Sequence, residues 1–252
     1  MMNLTIDQTP VQVEEGGTIL DAARKAGIRI PTLCWLKKLR PIGSCRMCVV
    51  EVEGLRKPVS ACDTVAAEGM KVTTDSPALR EMRRDALRLL TVNHPLDCPV
   101  CDKGGECDLQ DLVWEFGVDA PVFQAAKSKR KVPRYVSPFI LQWPDRCVLC
   151  NRCVTACKEV KGVGCIKIED SGYDSYIGPV EGVDCISCGE CLSVCPVGAL
   201  TDGVNADKAR IWQSDRVPTT CGYCGVGCQF EINAKNDETI RVTTAEMDKA
   251  PN

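Results

Sequence analysis

Nineteen cysteines constrain this 252-residue chain more than any other feature, because they arrive in groups separated by cysteine-free segments. Such a count means disulfides in an oxidising compartment or metal in a reducing one. The N-terminus, M-M-N-L-T-I-D-Q-T-P, shows no basic n-region, apolar h-region or twin arginine, and no apolar run is long enough to cross a bilayer. The expectation is therefore a reducing cytoplasm, no membrane span, and metal. With 20 glycines, 15 prolines and 5% aromatic residues, the chain should be loop-rich with small hydrophobic cores; the modules that follow along it make the expected class α+β. The nearly even balance of 31 basic and 34 acidic residues argues against nucleic acid as a partner.

Residues 1–76 read as one unit. N-L-T-I-D-Q-T-P-V-Q-V alternates as two strands about a turn, and T-I-L-D-A-A-R-K-A-G-I has helical periodicity ending at Gly27. Cys34, Cys45, Cys48 and Cys62 follow, with V-V-E-V-E and K-P-V-S-A as a further hairpin. Strand pair, helix, cysteine loop and strand pair is the order of a β-grasp 2Fe-2S ferredoxin. In this reading Cys45 and Cys48 share one iron while Cys34 and Cys62 hold the other side. The spacing C-x10-C-x2-C-x13-C departs from the plant-type pattern.

Residues 77–117 read as a small helical module. Ser76 and Pro77 look like a cap and first helical position, and Leu79, Met82, Ala86, Leu87 and Leu90 mark the expected buried face. That helix delivers the only histidine, His94, ahead of Cys98, Cys101 and Cys107. As H-x3-C-x2-C-x5-C, the histidine supplies a fourth ligand to a cysteine triplet, which suits a 4Fe-4S cluster; zinc on the same donors is the competing reading. Residues 118–137 read as a linker with a basic run, K-S-K-R-K-V-P-R. It is either solvated or, through Lys127, Lys129, Arg130 and Lys131, a docking patch for an acidic partner such as ferredoxin.

Residues 138–210 contain an internal repeat. C-V-L-C-N-R-C-V-T-A-C-K and C-I-S-C-G-E-C-L-S-V-C-P share the C-x2-C-x2-C-x3-C run of bacterial two-cluster ferredoxins, where the fourth cysteine of each run ligates the other cluster. Cys147, Cys150 and Cys153 should then join Cys195 around one 4Fe-4S cluster, and Cys185, Cys188 and Cys191 should join Cys157 around a second. Lys158 stands where the second run has Pro196, leaving the ligands untouched. Cys165, in G-V-G-C-I-K-I, reads as a small buried hydrophobe rather than a ligand. Trp114, Phe116, Tyr173 and Tyr176 read as local core.

The first two groups resemble the N-terminal regions of the complex I large iron-sulfur subunit, of iron-only hydrogenases and of NAD-dependent formate dehydrogenases. The tandem repeat is shared by the last two. The tail, R-V-P-T-T-C-G-Y-C-G-V-G-C-Q-F-E-I, resembles the opening of the molybdopterin oxidoreductase domain, the family of formate dehydrogenase. The strands Q-F-E-I-N-A-K and T-I-R-V-T-T continue that likeness. Cys221, Cys224 and Cys228 would there form three quarters of a further 4Fe-4S site. The family's fourth cysteine is expected about where this sequence stops, so 215–252 reads as an incomplete domain without a pterin-binding body.

These resemblances imply a segment or subunit that relays single electrons between an NAD(H)- and flavin-binding partner, or ferredoxin, and a molybdopterin domain, with formate dehydrogenase as the leading assignment. A relay for an iron-only hydrogenase or a complex I-like NADH dehydrogenase is the alternative. The sequence contains no G-x-G-x-x-G or G-x4-G-K-[ST] motif, so nucleotide and flavin fall to a partner. The expected content is one 2Fe-2S and three 4Fe-4S clusters, with a fourth 4Fe-4S if another ligand is supplied. No catalytic residue is assigned to this chain.

Overall fold

The computed structural model describes residues 1–118, 134–206 and 208–244. The basic run with Lys127, Lys129, Arg130 and Lys131 lies outside the described residues.

Strands β1 (Met2–Ile6) and β2 (Thr9–Val13) form a hairpin turned by Asp7 and Gln8, both at positive φ. Their alternation buries Leu4, Ile6, Val11 and Val13. Helix α1 (Ile19–Lys25) starts at a reciprocal cap: Thr18 Oγ1 accepts from the Asp21 backbone N–H at 3.1 Å, and Asp21 accepts from the Thr18 N–H at 2.9 Å. Strands β3 (Val49–Val52), β4 (Val59–Ser60) and β5 (Lys71–Thr73) complete a sheet of order β2-β1-β5-β3-β4. Strand β5 is parallel to β1, and its three residues are too few to show a period in the sequence.

Helix α2 (Pro77–Thr91) begins where Ser76 accepts from the Leu79 N–H at 3.2 Å. Leu79 and Leu87 are fully buried, with Ala86 and Leu90 packed beside them, but Met82 is exposed. Arg83 takes the inward place instead. Its guanidinium donates to the carbonyls of Met47, Val49 and Thr74 at 3.1, 2.8 and 2.8 Å, fastening the helix to the β-grasp sheet. Helix α3 (Asp108–Phe116) buries Leu109, Leu112 and Phe116 and stops at Gly117 in the left-handed region. Trp114 lies on its opposite face, 82% exposed, and Tyr173 is also exposed, so neither is core as expected.

Strand β6 (Arg134–Ser137) falls inside the segment expected as linker and pairs with β7 (Ile140–Gln142). Helix α4 (Arg152–Thr155) runs into a π-helical turn over Ala156–Val160 that carries Cys157. A hairpin of β8 (Ile166–Glu169) and β9 (Tyr176–Pro179), helix α5 (Glu190–Ser193) and β10 (Leu200–Asp202) follow, β10 joining β7. Strands β11 (Asp215–Thr220), β12 (Gln229–Lys235) and β13 (Glu238–Thr244) form a last antiparallel sheet.

One apolar cluster runs from Leu33 and Met47 through Leu87 and Leu112 to Ile140 and Val197, and a second fills the β-grasp unit. Arginine reaches across the joins between units. Arg29 meets Glu115 at 2.6 Å, Arg146 meets Asp97 at 2.5 Å, Arg210 meets Asp102 at 2.9 Å and Arg241 meets Glu106 at 2.8 Å. Among the described residues no helix is long and apolar enough to cross a membrane.

Candidate metal centres

The first cysteine group is buried at one end of the β-grasp sheet. The Cys34 N–H donates to Cys45 Sγ at 3.3 Å. Thiol hydrogen bonds join Cys34 to Cys45 and Cys48 to Cys62. Arg46, at φ 57°, turns the chain between Cys45 and Cys48, and Met47 fills the interior between them. The Cys45 thiol's hydrogen bond brings Cys34 down to about 5, while Cys45 and Cys62 are pushed up by donating to their partners and by burial.

The second group follows α2. His94 is buried, which holds its imidazole pKa below the usual value and keeps the ring neutral, and it hydrogen-bonds the Arg146 backbone. A neutral imidazole is the form that ligates a metal. Cys98 opens a 3-10 turn, and Cys107 stands at the start of α3. Burial raises Cys101 and pushes Cys107 up to about 11. The floor of this site belongs to the next unit. A Cβ on Gly198 would stand 2.3 Å from Cys101 Sγ, and the Asp108 N–H donates to the Pro196 carbonyl at 3.0 Å.

The tandem repeat supplies the clearest grouping. Cys147, Cys150, Cys153 and Cys195 line one cavity, and Cys157, Cys185, Cys188 and Cys191 line another. Each set draws on both halves of the repeat. The two loops also share their backbone path. Leu149 and Ser187 have φ 52° and 56°, and Asn151 and Gly189 have φ 65° and 73°. That path lets the Leu149 N–H donate to Cys147 Sγ and the Ser187 N–H donate to Cys185 Sγ, each at 3.4 Å. Burial leads in raising Cys150, Cys153 and Cys195, and in pushing Cys191 up to about 12.

Cys165 is buried as expected, but in the wall of the second cavity, its Sγ 3.6 Å from Cys157 Sγ. Spacing along the chain carries no sign of this, because β8 and β9 fold the strand back over the cavity. Cys221, Cys224 and Cys228 occupy the loop between β11 and β12, closed by a 2.8 Å bond from the Cys221 N–H to the Cys228 carbonyl. Cys224 is exposed, unlike the thiols of the tandem cavities apart from Cys188. A hollow of about 850 Å³ between the turns of the β-grasp sheet, by Asp7, Arg56 and Lys71, contains no cysteine and stands apart from these centres.

The donors fit iron-sulfur clusters. A buried thiolate is costly without a cation beside it, so packing four thiols around an apolar cavity is stable when a metal core takes their charge. Among the described residues no three His, Cys, Asp or Glu side chains converge as one metal ion requires. A polynuclear cluster takes its donors from around its perimeter, which the cavity walls supply.

Comparison with known proteins agrees. Residues 1–77 match the 2Fe-2S iron-sulfur cluster binding domain, and 83–121 the NADH-ubiquinone oxidoreductase-G iron-sulfur binding region. Residues 137–201 match the NADH-quinone oxidoreductase subunit 3 ferredoxin-like domain, and 214–251 the molybdopterin oxidoreductase Fe4S4 domain. The second G-type subunit of NADH-quinone oxidoreductase from Rhizobium meliloti is 45% identical over 245 residues, covering 96% of this chain and 29% of that protein. The alpha subunit of the NADPH-Fe(3+) oxidoreductase of Geobacter sulfurreducens is 43% identical over 246 residues, covering 97% of this chain and 29% of its own length. The chain thus spans under a third of these relatives. A chain in the crystal structure of NAD+-reducing [NiFe]-hydrogenase in the H2-reduced state superposes with a TM-score of 0.76 at 31% identity, over 83% of this chain and 91% of that one. Formate dehydrogenase is not specifically indicated; a relay for an NADH dehydrogenase or a hydrogenase is comparably supported, the hydrogenase found being a [NiFe] enzyme rather than the iron-only type expected.

Proposed function

The chain belongs to the family of iron-sulfur proteins that includes the G-type subunits of NADH-quinone oxidoreductase, and from that membership we propose that it relays single electrons from a flavin-containing, NAD(P)H-oxidising partner toward a second redox unit. The observation that carries this reading is the sorting of the repeat's eight cysteines into two cavities of four, each drawing on both halves of the repeat. Clusters bound there would take up and release one electron at a time with little change of shape.

The chain's own residues do the rest. Cys34, Cys45, Cys48 and Cys62 would hold a 2Fe-2S cluster, and His94, Cys98, Cys101 and Cys107 a 4Fe-4S cluster. Cys147, Cys150, Cys153 and Cys195, and Cys157, Cys185, Cys188 and Cys191, would hold two more. Cys221, Cys224 and Cys228 would accept a fifth with one further ligand. Met47, Leu87 and Val197 are buried in the apolar cluster that holds Cys34, Cys107 and Cys195, and backbone N–H groups aimed at sulfur favour the more electron-rich reduced state. Formate dehydrogenase is the finer assignment of the second unit, supported by T-T-C-G-Y-C-G-V-G-C and its match to the molybdopterin Fe4S4 domain.

The test is anaerobic mixing of the loaded chain with NADH, with and without the flavin-containing subunit of the same complex. The visible cluster band should bleach only when that subunit is present. Bleaching by NADH alone, or no bleaching with the subunit, would overturn the relay reading.

A further inference from the structure

The two ferredoxin runs are near copies in spacing and backbone path, yet they carry opposite charges at one equivalent place. The residue before the third cysteine is Arg152 in the first run and Glu190 in the second. Both are drawn inward. Arg152 is 5% exposed between Cys150 and Cys153, and the Glu190 side chain is 12% exposed, in the wall of the Cys185 cavity beside Cys188 and Cys191. Both also reach the same loop behind Cys34. Arg152 donates to the Trp35 carbonyl at 2.9 Å, and Glu190 meets Lys38 at 2.5 Å.

Resting on the iron-sulfur reading above, we infer that Arg152 and Glu190 are positioning residues of opposite sign that make two otherwise equivalent 4Fe-4S sites unequal, the Cys147 site becoming the stronger electron acceptor. The reason is electrostatic. Reduction adds a negative charge, which a buried cation beside the site favours and a buried anion opposes. Partner charges compensate only in part, because they stand farther into solvent: Asp108, 3.1 Å from Arg152, is 45% exposed, and the Lys38 and Lys161 side chains around Glu190 are 34% and 38% exposed. Water screens those partners more than the buried members.

Arg152 also joins three sites. Its two contacts are to residues adjacent to Cys34 and Cys107, while it sits next to Cys153 itself. The acceptor site is thereby fastened to both N-terminal centres.

The test is an EPR-monitored redox titration of the anaerobically loaded full chain and of R152Q, R152K and E190Q, with iron and sulfide measured in each. R152Q should make one 4Fe-4S signal about tenfold harder to reduce, a fall of about 59 mV for a one-electron couple. R152K should restore most of that shift. E190Q should make the other 4Fe-4S signal easier to reduce by a similar factor. Parental potentials in both neutral variants, or shifts of one sign in both, would overturn the inference while leaving the relay intact. A parent without iron would instead overturn the relay reading itself. Should R152Q load incompletely, E190Q decides alone, its partner lysines being solvent-facing: an upward shift supports the inference and none refutes it.

Discussion

Gly198 to alanine is a sharp probe, because it acts on a cysteine of one unit from the backbone of another. A Cβ there would lie 2.3 Å from Cys101 Sγ, 3.3 Å from Lys103 Cβ and 3.6 Å from Arg146 Cδ. Ordinary contacts between heavy atoms lie near 3.5–4.0 Å, so the sulfur must retreat by about 1 Å or more. The segment itself is held, since the Pro196 carbonyl accepts the Asp108 N–H. A free thiol would rotate away at little cost. A ligating sulfur has only about 0.2 Å of tolerance, so the cluster on His94, Cys98, Cys101 and Cys107 should be lost. Iron should fall from about 14 to about 10 per chain. Overpacking should also cost about 1–3 kcal/mol of stability. Iron and labile sulfide analysis with EPR of the reduced protein reads the result. G198A carrying parental iron and every parental signal would refute Cys101 as a ligand.

His94→Cys should keep the iron content and lower the potential of one cluster, because thiolate adds negative charge where a neutral ring stood; parental potentials throughout would contradict the assignment. Cys165→Ala should retain all the iron, since the four other thiols of its cavity are intact, and loss of about four irons would make it a ligand. Arg83→Met leaves three buried carbonyls without their donor, and about 3–5 kcal/mol of destabilisation is expected. The Tm of the loaded protein should fall by about 10 °C, and an unchanged Tm would show that α2 is fastened to the sheet by apolar contact alone.

Much of this can be read from the chain because ligand spacing is a short-range code. The C-x2-C-x2-C-x3-C repeat groups the cysteines that line each cavity, and the capped start of α2 announces itself at Ser76. What escapes such reading depends on residues far apart. The contact of the Cys34 N–H with Cys45 Sγ joins residues across a loop, and the left-handed turn at Arg46 beside it is a conformation that residue type does not advertise. Helical period alone places Met82 inward, but the position one residue on carries a cation that three carbonyls pull inside. Likewise Arg146, Arg152 and Arg210 look like surface charge until partners across the unit boundaries are known. Cys165 can be seen as buried, but its place beside Cys157 is set by a hairpin that its own neighbours do not reveal.

The proposed relay requires that the thiols of this chain hold redox-active clusters. Anaerobic purification followed by iron, zinc and sulfide analysis and an EPR-monitored redox titration tests it most directly. The expected result is a brown protein with about 14 irons in its four complete sites and signals from one 2Fe-2S and three 4Fe-4S clusters. A colourless protein with zinc in place of iron and sulfide, and no EPR signal on reduction, would contradict it.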